Sequence, residues 1–204
     1  MKNGLKQILF TLCAVATAPL WLSFRLLALV VNKDSLLAGF SQLLSLLPGK
    51  CGTYLRAGFY RFTLTHCAPN AVISFLTLFS QQDTEIAEGC YIGPQCNIGK
   101  CSIGRNTLVG SGVHIMSGKG QHNFDDPDTP IKDQGGVFSK ISIGENCWLG
   151  NGALVMANVG AGSVVAAGAV VVNDVPEGAI VGGNPAKVIK MRGETKTSQA
   201  SVKR

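Results

Sequence analysis

The hydrophobic positions follow two regimes. From Ile86 an aliphatic residue returns about every sixth position: IAEGCY (86–91), IGPQCN (92–97), the shortened IGKCS (98–102), IGRNTL (103–108) and VGSGVH (109–114), with Ile115 opening the next unit. After a break the beat resumes in IGENCW (143–148), LGNGAL (149–154), the truncated VMAN (155–158), VGAGSV (159–164), VAAGAV (165–170) and VVNDVP (171–176). A period this short predicts a solenoid of brief parallel strands, three to a coil, around a narrow interior. The aliphatic residue at position one points inward and stacks on its equivalents. The small residue at position five also points inward, where a large one has no room. Glycine at position two is expected to relieve crowding at the corner and to adopt backbone angles that other residues resist. Cys90, Cys96 and Cys147 occupy position five, where other units carry Thr107, Ala153, Ser163 and Ala169, so they read as packing residues.

The first seventy residues follow the other regime. Residues 8–24, ILFTLCAVATAPLWLSF, are almost continuously apolar, and RLLALVV follows. From Ile8 to Val31 the stretch is long enough to cross a bilayer, which takes about 20 residues. Pro19 and Arg25 interrupt it. One reading is a transmembrane or re-entrant helix with Arg25 snorkelling to the interface. A second is an interfacial helix pair, because LLAGFSQLLSLLP (36–48) is another apolar segment. A third is a cleaved signal peptide, with Lys2 and Lys6 ahead of it and Ala16-Thr17-Ala18 as the cleavage motif, although Pro19 directly after the cut argues against it. A fourth is a helix packed on the protein's own body. Residues 48–67 are expected to form a linker or short helix, with Arg56, Tyr60 and Arg61 at headgroup level or with the helix docked on the main domain.

Composition narrows the partners. The 204 residues carry 18 Lys+Arg against 12 Asp+Glu, a net charge of +6. Charged residues make up only 15% of the chain, and the mean hydropathy is +0.26. With no basic run interleaved with aromatics, and no helix-turn-helix or zinc-finger spacing, no nucleic-acid partner is expected. The surplus hydrophobicity sits at the N-terminus and makes a membrane the better partner. Seven cysteines, an odd number with no CxxC pair, make a poor disulfide framework and a poor zinc site; free thiols in a reducing compartment fit better.

Residues 84–192 resemble the hexapeptide-repeat acyltransferases, especially sugar and polysaccharide O-acetyltransferases. The resemblance is carried by the repeat, by IGENCWLGNGA (143–153), and by VVVNDVPEGAIVGGNPAKVIKMR (170–192) around Gly183-Asn184-Pro185-Ala186-Lys187. It implies a mainly β protein, a left-handed parallel β-helix preceded here by hydrophobic N-terminal helices, assembled as a homotrimer. The expected organisation is a membrane-associated helical segment over 1–70, the β-helix acyltransferase domain over 71–192 with its active-site loop at 116–140, and a disordered polar tail over 193–204.

The break in the beat, SGKGQHNFDDPDTPIKDQGG (117–136), holds almost nothing that could fill a core. It is about as long as a loop gets without being functional or disordered. In the family such a loop covers a cleft between subunits and carries a histidine general base, and QHNFDD (121–126) matches that context. His122 is therefore the expected catalytic base, taking a proton from an acceptor hydroxyl as it attacks a thioester. The resemblance also implies acetyl-CoA as co-substrate and no metal. Its pantetheine arm would lie against small residues around Gly150, Ala167 and Gly168, and Lys187, with Lys190 and Arg192 nearby, would meet its phosphates. Asp125 and Asp126 would orient the imidazole or bind the acceptor, and Trp148 would wall the acceptor site or pack under the loop. Asp128 and Asp133 read as turn or solvated charges. His114 would face the acceptor cleft or serve a corner, and His66 reads as structural.

The resemblance, with the apolar N-terminus, implies an acetyl-CoA-dependent O-acetyltransferase acting on a sugar hydroxyl, in surface polysaccharide or glycolipid synthesis, at the cytoplasmic face of a membrane. N-acetylation of an amino sugar is the nearest alternative. A non-catalytic membrane scaffold is another, since solenoids can be purely structural. A carbonic-anhydrase-like metal site on the same solenoid would need three convergent histidines, and the repeat region has only His114 and His122.

Overall fold

In the computed structural model residues 2–194 are described; the polar tail expected from 193 falls outside them from residue 195 onward. From His66 the chain winds into a three-sided parallel β-helix. The first face stacks His66–Cys67, Glu85–Ile86, Cys101–Ile103 and Ile141–Ile143, and bridges at Val159 and Val175 continue it. The second stacks Val72–Ile73, Tyr91–Ile92, Leu108–Val109, Trp148–Leu149, Val164–Val165 and Ala179–Gly182, with Lys187–Met191 added antiparallel at the end. The third stacks Leu78–Phe79, Asn97–Ile98, His114–Ile115, Leu154–Val155 and Val170–Val171, so five coils are complete.

Position one behaves as the pattern requires: Ile86, Ile92, Ile98, Val109, Leu149 and Val165 are all buried in single columns. The solenoid nevertheless begins a coil earlier than the repeat that sequence reveals. In that first coil Phe79 takes an aliphatic position, Ser74 and Ser80 stand where glycine is usual, and the step from Phe79 to Ile86 is seven positions instead of six.

Position five does more than fill space. Its side chains donate to a carbonyl of the next coil: Cys90 to Gly104 O, Cys96 to Gly110 O, Thr107 to Gly144 O, Cys147 to Gly160 O and Ser163 to Pro176 O, at 2.7–3.1 Å. A small side chain with one donor fits this slot, which is why Cys, Ser and Thr recur there. Burial raises the thiol pKa of all three of these cysteines, and pushes Cys67 and Cys101 up to about 12.

The two roles expected of position-two glycine divide between two positions. Position two carries the close approach: a Cβ on Gly93 would stand 2.7 Å from Gly110 C, and one on Gly104 2.5 Å from Glu145 N. The left-handed backbone belongs instead to position four, where Gln95, Asn106 and Asn146 have φ of 54–60° beside Gly89, Gly112 and Gly152. Asn tolerates that region and Gly has no Cβ penalty there.

Four helices, α1 (Lys2–Ala16), α2 (Ala18–Leu27), α3 (Lys33–Ser45) and α4 (Gly49–Thr63), close the N-terminal end. The first coil presents unpaired backbone groups at that end, an edge that must be covered or exposed to foreign strands. The cap covers it with specific bonds. Arg56 Nε donates to Ile73 O, Phe79 N to Ser41 Oγ, Leu76 N to Ser45 O and Gln82 N to Asp34 Oδ1, at 2.7–3.0 Å. Tyr60 donates to Ser41 Oγ at 2.8 Å. Arg56 and Tyr60 are fully buried inside this cap, so of the three residues expected at headgroup level only Arg61 is at the surface. Residues 49–63 are thus the docked helix.

α1 and α2 lie outside α3 and α4, mainly against α4. They are bent by 51° at Thr17. Pro19 lacks the N–H and would strike the carbonyl four residues back, so the helix restarts there, with Pro in the first turn of α2. Among the described residues no single helix is long and apolar enough to cross a membrane; the bent pair Phe10–Ala16 and Ala18–Leu27 meets the test by length and composition only.

Candidate functional site

The interruption of the repeat is a built arm. The chain leaves the third face after His114–Ile115 and rejoins the first at Ile141–Ile143, so the arm emerges at the corner between these faces. Its base is tied to the solenoid: Lys100 N donates to Ser117 Oγ, Ser139 N to Ser117 O and Ile141 N to Lys100 O, at 2.9–3.2 Å. Further out, Val137 N donates to Gly120 O and Asn123 N to Gly135 O. Residues 117–123 therefore run beside 135–139. A strut holds the exit: Lys140 Nζ lies 2.6 Å from both Asp83 and Glu85, and Lys100 Nζ is 3.4 Å from Asp83. The hydrogen bond from Lys140 holds the Asp83 carboxyl below its ordinary range. Burial disfavours the Lys140 ammonium, but its two carboxylate partners outweigh this and raise its pKa.

His122 is exposed on the inner stretch of this arm. Asp126 is engaged in the arm's own tip, where its carboxylate accepts from Asp128 N at 2.9 Å and Thr129 Oγ1 at 2.6 Å. The Thr129 hydroxyl and Asp128 amide lower its pKa. Asp125, Asp128 and Asp133 are also exposed in the tip. Beside the arm, Asn97, His114, Met116, Ser117, Gln121 and Ser80 line a polar recess of about 190 Å³. His114 therefore faces a cleft, and His66 stands outward on the first coil. On the opposite side, Lys119, Ser139, Asn158, Asn173 and Asp174 border a second cleft of about 520 Å³.

The residues expected to meet coenzyme A gather at another corner, between the second and third faces. Gly150 packs so closely under Ala167 that a Cβ would strike the Ala167 backbone, while Ala167 and Gly168 are exposed. Gly182 lies over Ala166, and Lys187 pairs with Gly182 on the closing strand. Trp148 is exposed on the second face in one column with Tyr91 and Leu108. In a single chain, the strand Leu154–Val155 and the whole third face separate this corner from the arm.

Sequence reasoning passed over Asn97 and Gln121. The signal was available for Asn97: it and His114 are sixth residues of units three apart, which stack in register on the face beside the arm. Gln121 has no such signal, because its position depends on how the arm folds back.

Residues 83–117 match the family described as bacterial transferase hexapeptide (six repeats). A Saccharomyces cerevisiae protein named as an acetyltransferase is 35% identical over 91 residues, 43% of this chain and 46% of that protein. Serine acetyltransferase 2 of Arabidopsis thaliana is 37% identical over 100 residues, 48% of this chain and 28% of its own length. The chain thus spans less than half the length of these curated relatives. Among solved structures, a hexapeptide-repeat acetyltransferase of Vibrio cholerae, complexed with acetyl-CoA, superposes with a TM-score of 0.65 at 21% identity, covering 79% of this chain and 88% of that one. A galactoside acetyltransferase in complex with coenzyme A gives 0.57 at 17%, covering 86% and 92%. At such identities the superposition speaks for the fold. The chain is similar over part of its length to proteins named as acetyltransferases, and the architecture it shares with the solved structures is the parallel β-helix of hexapeptide coils.

Proposed function

We propose that the protein is an acetyl-CoA-dependent O-acetyltransferase that acetylates a sugar hydroxyl in surface polysaccharide or glycolipid synthesis, as a homotrimer at the cytoplasmic face of a membrane. One observation carries the reading: an otherwise regular solenoid is interrupted by one long insertion, a tied arm in which Gln121 lines a polar recess and the next residue, His122, is exposed. The thioester supplies an activated acyl group. His122 accepts the proton of the acceptor hydroxyl, which hydrogen bonds in the recess orient. Asn97, His114 and Gln121 supply donors and acceptors suited to a polyhydroxylated ligand. Ala167 and Gly168, with Gly150 buried beneath them, leave backbone accessible to an extended pantetheine, and Lys187 adds a cation for its phosphates.

The separation of these two parts supports an assembly of copies, for which the proposed trimer is one arrangement. A site that uses both needs the arm of one copy and the corner of another. The arm also carries exposed Phe124, Val137 and Phe138, and the second face carries exposed Tyr91, Leu108 and Trp148. These are apolar surfaces that a neighbouring copy would cover.

The test is thiol release from acetyl-CoA with a panel of sugars and amino sugars, for wild type and His122→Ala. Turnover with a neutral sugar and a loss of at least about 100-fold in kcat for the variant are expected. Unchanged turnover in His122→Ala would sink the mechanism, and turnover confined to amino sugars would move the reaction to nitrogen.

A further inference from the structure

Charge divides this chain at the start of the solenoid. Residues 1–65 contain seven Lys/Arg and a single acid, Asp34, so the whole net charge of +6 lies in them, and the remaining residues carry eleven of each sign. The basic residues that look scattered along the sequence are therefore unopposed in one structural unit. Asp34 is turned toward the solenoid, accepting from Gln82 N. The same unit exposes half of the large hydrophobic residues found at the surface among the described residues. They form stripes: Leu12 and Val15 on α1, Leu22 and Leu26 on α2, and Leu29 and Val30 in the turn that follows, the last 84% exposed. Spacings of three and four residues put the α1 pair and the α2 pair each on one outward helix face, and Leu29 and Val30 extend the surface in the turn. The opposite faces belong to the cap: Phe10 and Ala14 of α1 and Phe24 of α2 are buried in it.

Between α1, α2 and α4 lies a notch of about 350 Å³ walled by Ala14, Val15, Ala18, Trp21 and Phe62. Trp21 stacks on Phe62 with ring centroids 4.8 Å apart, and its indole Nε1 is buried without a hydrogen-bond partner. Two guanidinium groups flank Phe62. Arg25 donates through Nε and Nη2 to Phe62 O at 3.1 and 2.8 Å, and Arg61 lies 5.6 Å over the Phe62 ring. An apolar notch with Arg61 in its wall, and Arg25 held nearby on the Phe62 carbonyl, suits an amphiphile with an acyl tail and an anionic head.

We propose that the outer face of the α1–α2 layer is a docking surface for an anionic lipid bilayer, with the notch taking an acyl chain and Arg25 and Arg61 holding its phosphate. This deepens, and rests on, the membrane part of the proposed function. Charge selects the occupant. A second copy docking cap to cap would set one net-basic surface against another, whereas an anionic bilayer meets both the cations and the apolar stripes. The helices lie in the interface and do not cross it, because their inner faces belong to the cap and α1 and α2 are bent by 51°.

The test uses the full chain and vesicles of phosphatidylcholine with or without phosphatidylglycerol, read by flotation. Binding to the phosphatidylglycerol vesicles is expected, at least about tenfold weaker without that lipid or at high salt. Arg25→Gln combined with Arg61→Gln is expected to weaken binding roughly 30-fold, two cationic contacts' worth, while Lys at both positions retains most of it. In a Trp148→Phe protein, Trp21 is the remaining tryptophan, and brominated acyl chains are expected to quench it on binding. Failure to float with either vesicle overturns the proposal. So does binding that ignores lipid charge and both arginines, or a cap-to-cap oligomer that Leu26→Glu dissolves while vesicles go unbound. Turnover with a soluble sugar separates the two readings: retained turnover without vesicle binding removes the docking surface alone, and vesicle binding without turnover removes the enzyme alone.

Discussion

Replacing Arg56 by Met tests the claim that the helical cap terminates the strand ladder chemically and not only by covering it. The guanidinium is fully buried and has no carboxylate beside it. It donates to Ile73 O at 2.9 Å, to Leu47 O at 2.7 Å and to Leu44 O at 3.1 Å. Burial lowers its pKa, so the protein pays a desolvation cost to keep it. Methionine follows the same path with a similar stem and removes every donor. Leu44 O keeps a weak partner in Leu47 N at 3.3 Å; Ile73 O and Leu47 O lose the charged donor that reaches them from α4. Two stranded carbonyls cost about 1–3 kcal/mol each. Removing a buried cation whose Nη2 is unpartnered returns about 1–3 kcal/mol. A net destabilisation of about 2 kcal/mol is expected from these opposing terms. Urea unfolding followed by far-UV circular dichroism gives the total, and amide exchange locates it, with first-coil amides such as Val72 and Ser74 losing protection first. A variant within about 0.5 kcal/mol of wild type, with first-coil exchange unchanged, would refute the reasoning.

Other expected outcomes test the solenoid and the arm. Gly93→Ala forces a Cβ against the Gly110 backbone and is expected to cost at least about 2 kcal/mol, whereas Gly112→Asn, in open space at φ 65°, costs under about 1 kcal/mol; similar values for the two would contradict the division between positions two and four. In the native protein a thiol reagent is expected to titrate exposed Cys51 quickly and half-buried Cys13 more slowly, with the five buried thiols reacting only on unfolding; rapid reaction of a third thiol would contradict their burial. Cys96→Leu is expected to cost about 1–3 kcal/mol by overfilling its slot, with Cys96→Ser milder because it keeps the donor to Gly110 O; equal costs would show that volume is irrelevant there. Asp83 has a folded pKa below its unfolded value, so the stability it lends the arm is present above the ordinary carboxylate pKa and is lost as pH falls through the folded value; limited proteolysis of residues 117–139 is expected to accelerate in that acid window, and at neutral pH in Asp83→Asn combined with Glu85→Gln, the half-exposed pairs contributing about 0.5 kcal/mol each. Cleavage unchanged by both treatments would show that the strut does not hold the arm.

The repeat was legible because a solenoid imposes one rule on every coil. Each position-one residue meets only its equivalents above and below, so Ile86 to Val171 could be assigned inward, and Cys90, Cys96 and Cys147 could be assigned to packing, without knowing the rest of the molecule. The break at 117–136 and His122 within it stood out because that rule fails there. The rule gives no information where partners come from elsewhere in the chain. The first coil was hidden because Phe79, Ser74 and Ser80 replace the usual residues, and the cap that covers that coil lies earlier in sequence. Arg56 and Tyr60 read as headgroup residues by type; only packing shows them bonded to Ile73 and Ser41 in the interior. The position of His114 and Gln121 around one recess, and the distance of Gly150 and Lys187 from the arm, were likewise decided by three-dimensional winding. Local periodicity determined the solenoid by itself, because stacking repeats the same contact. Tertiary structure alone decided the cap and the fold of the arm, because each depends on contacts between segments that share no period.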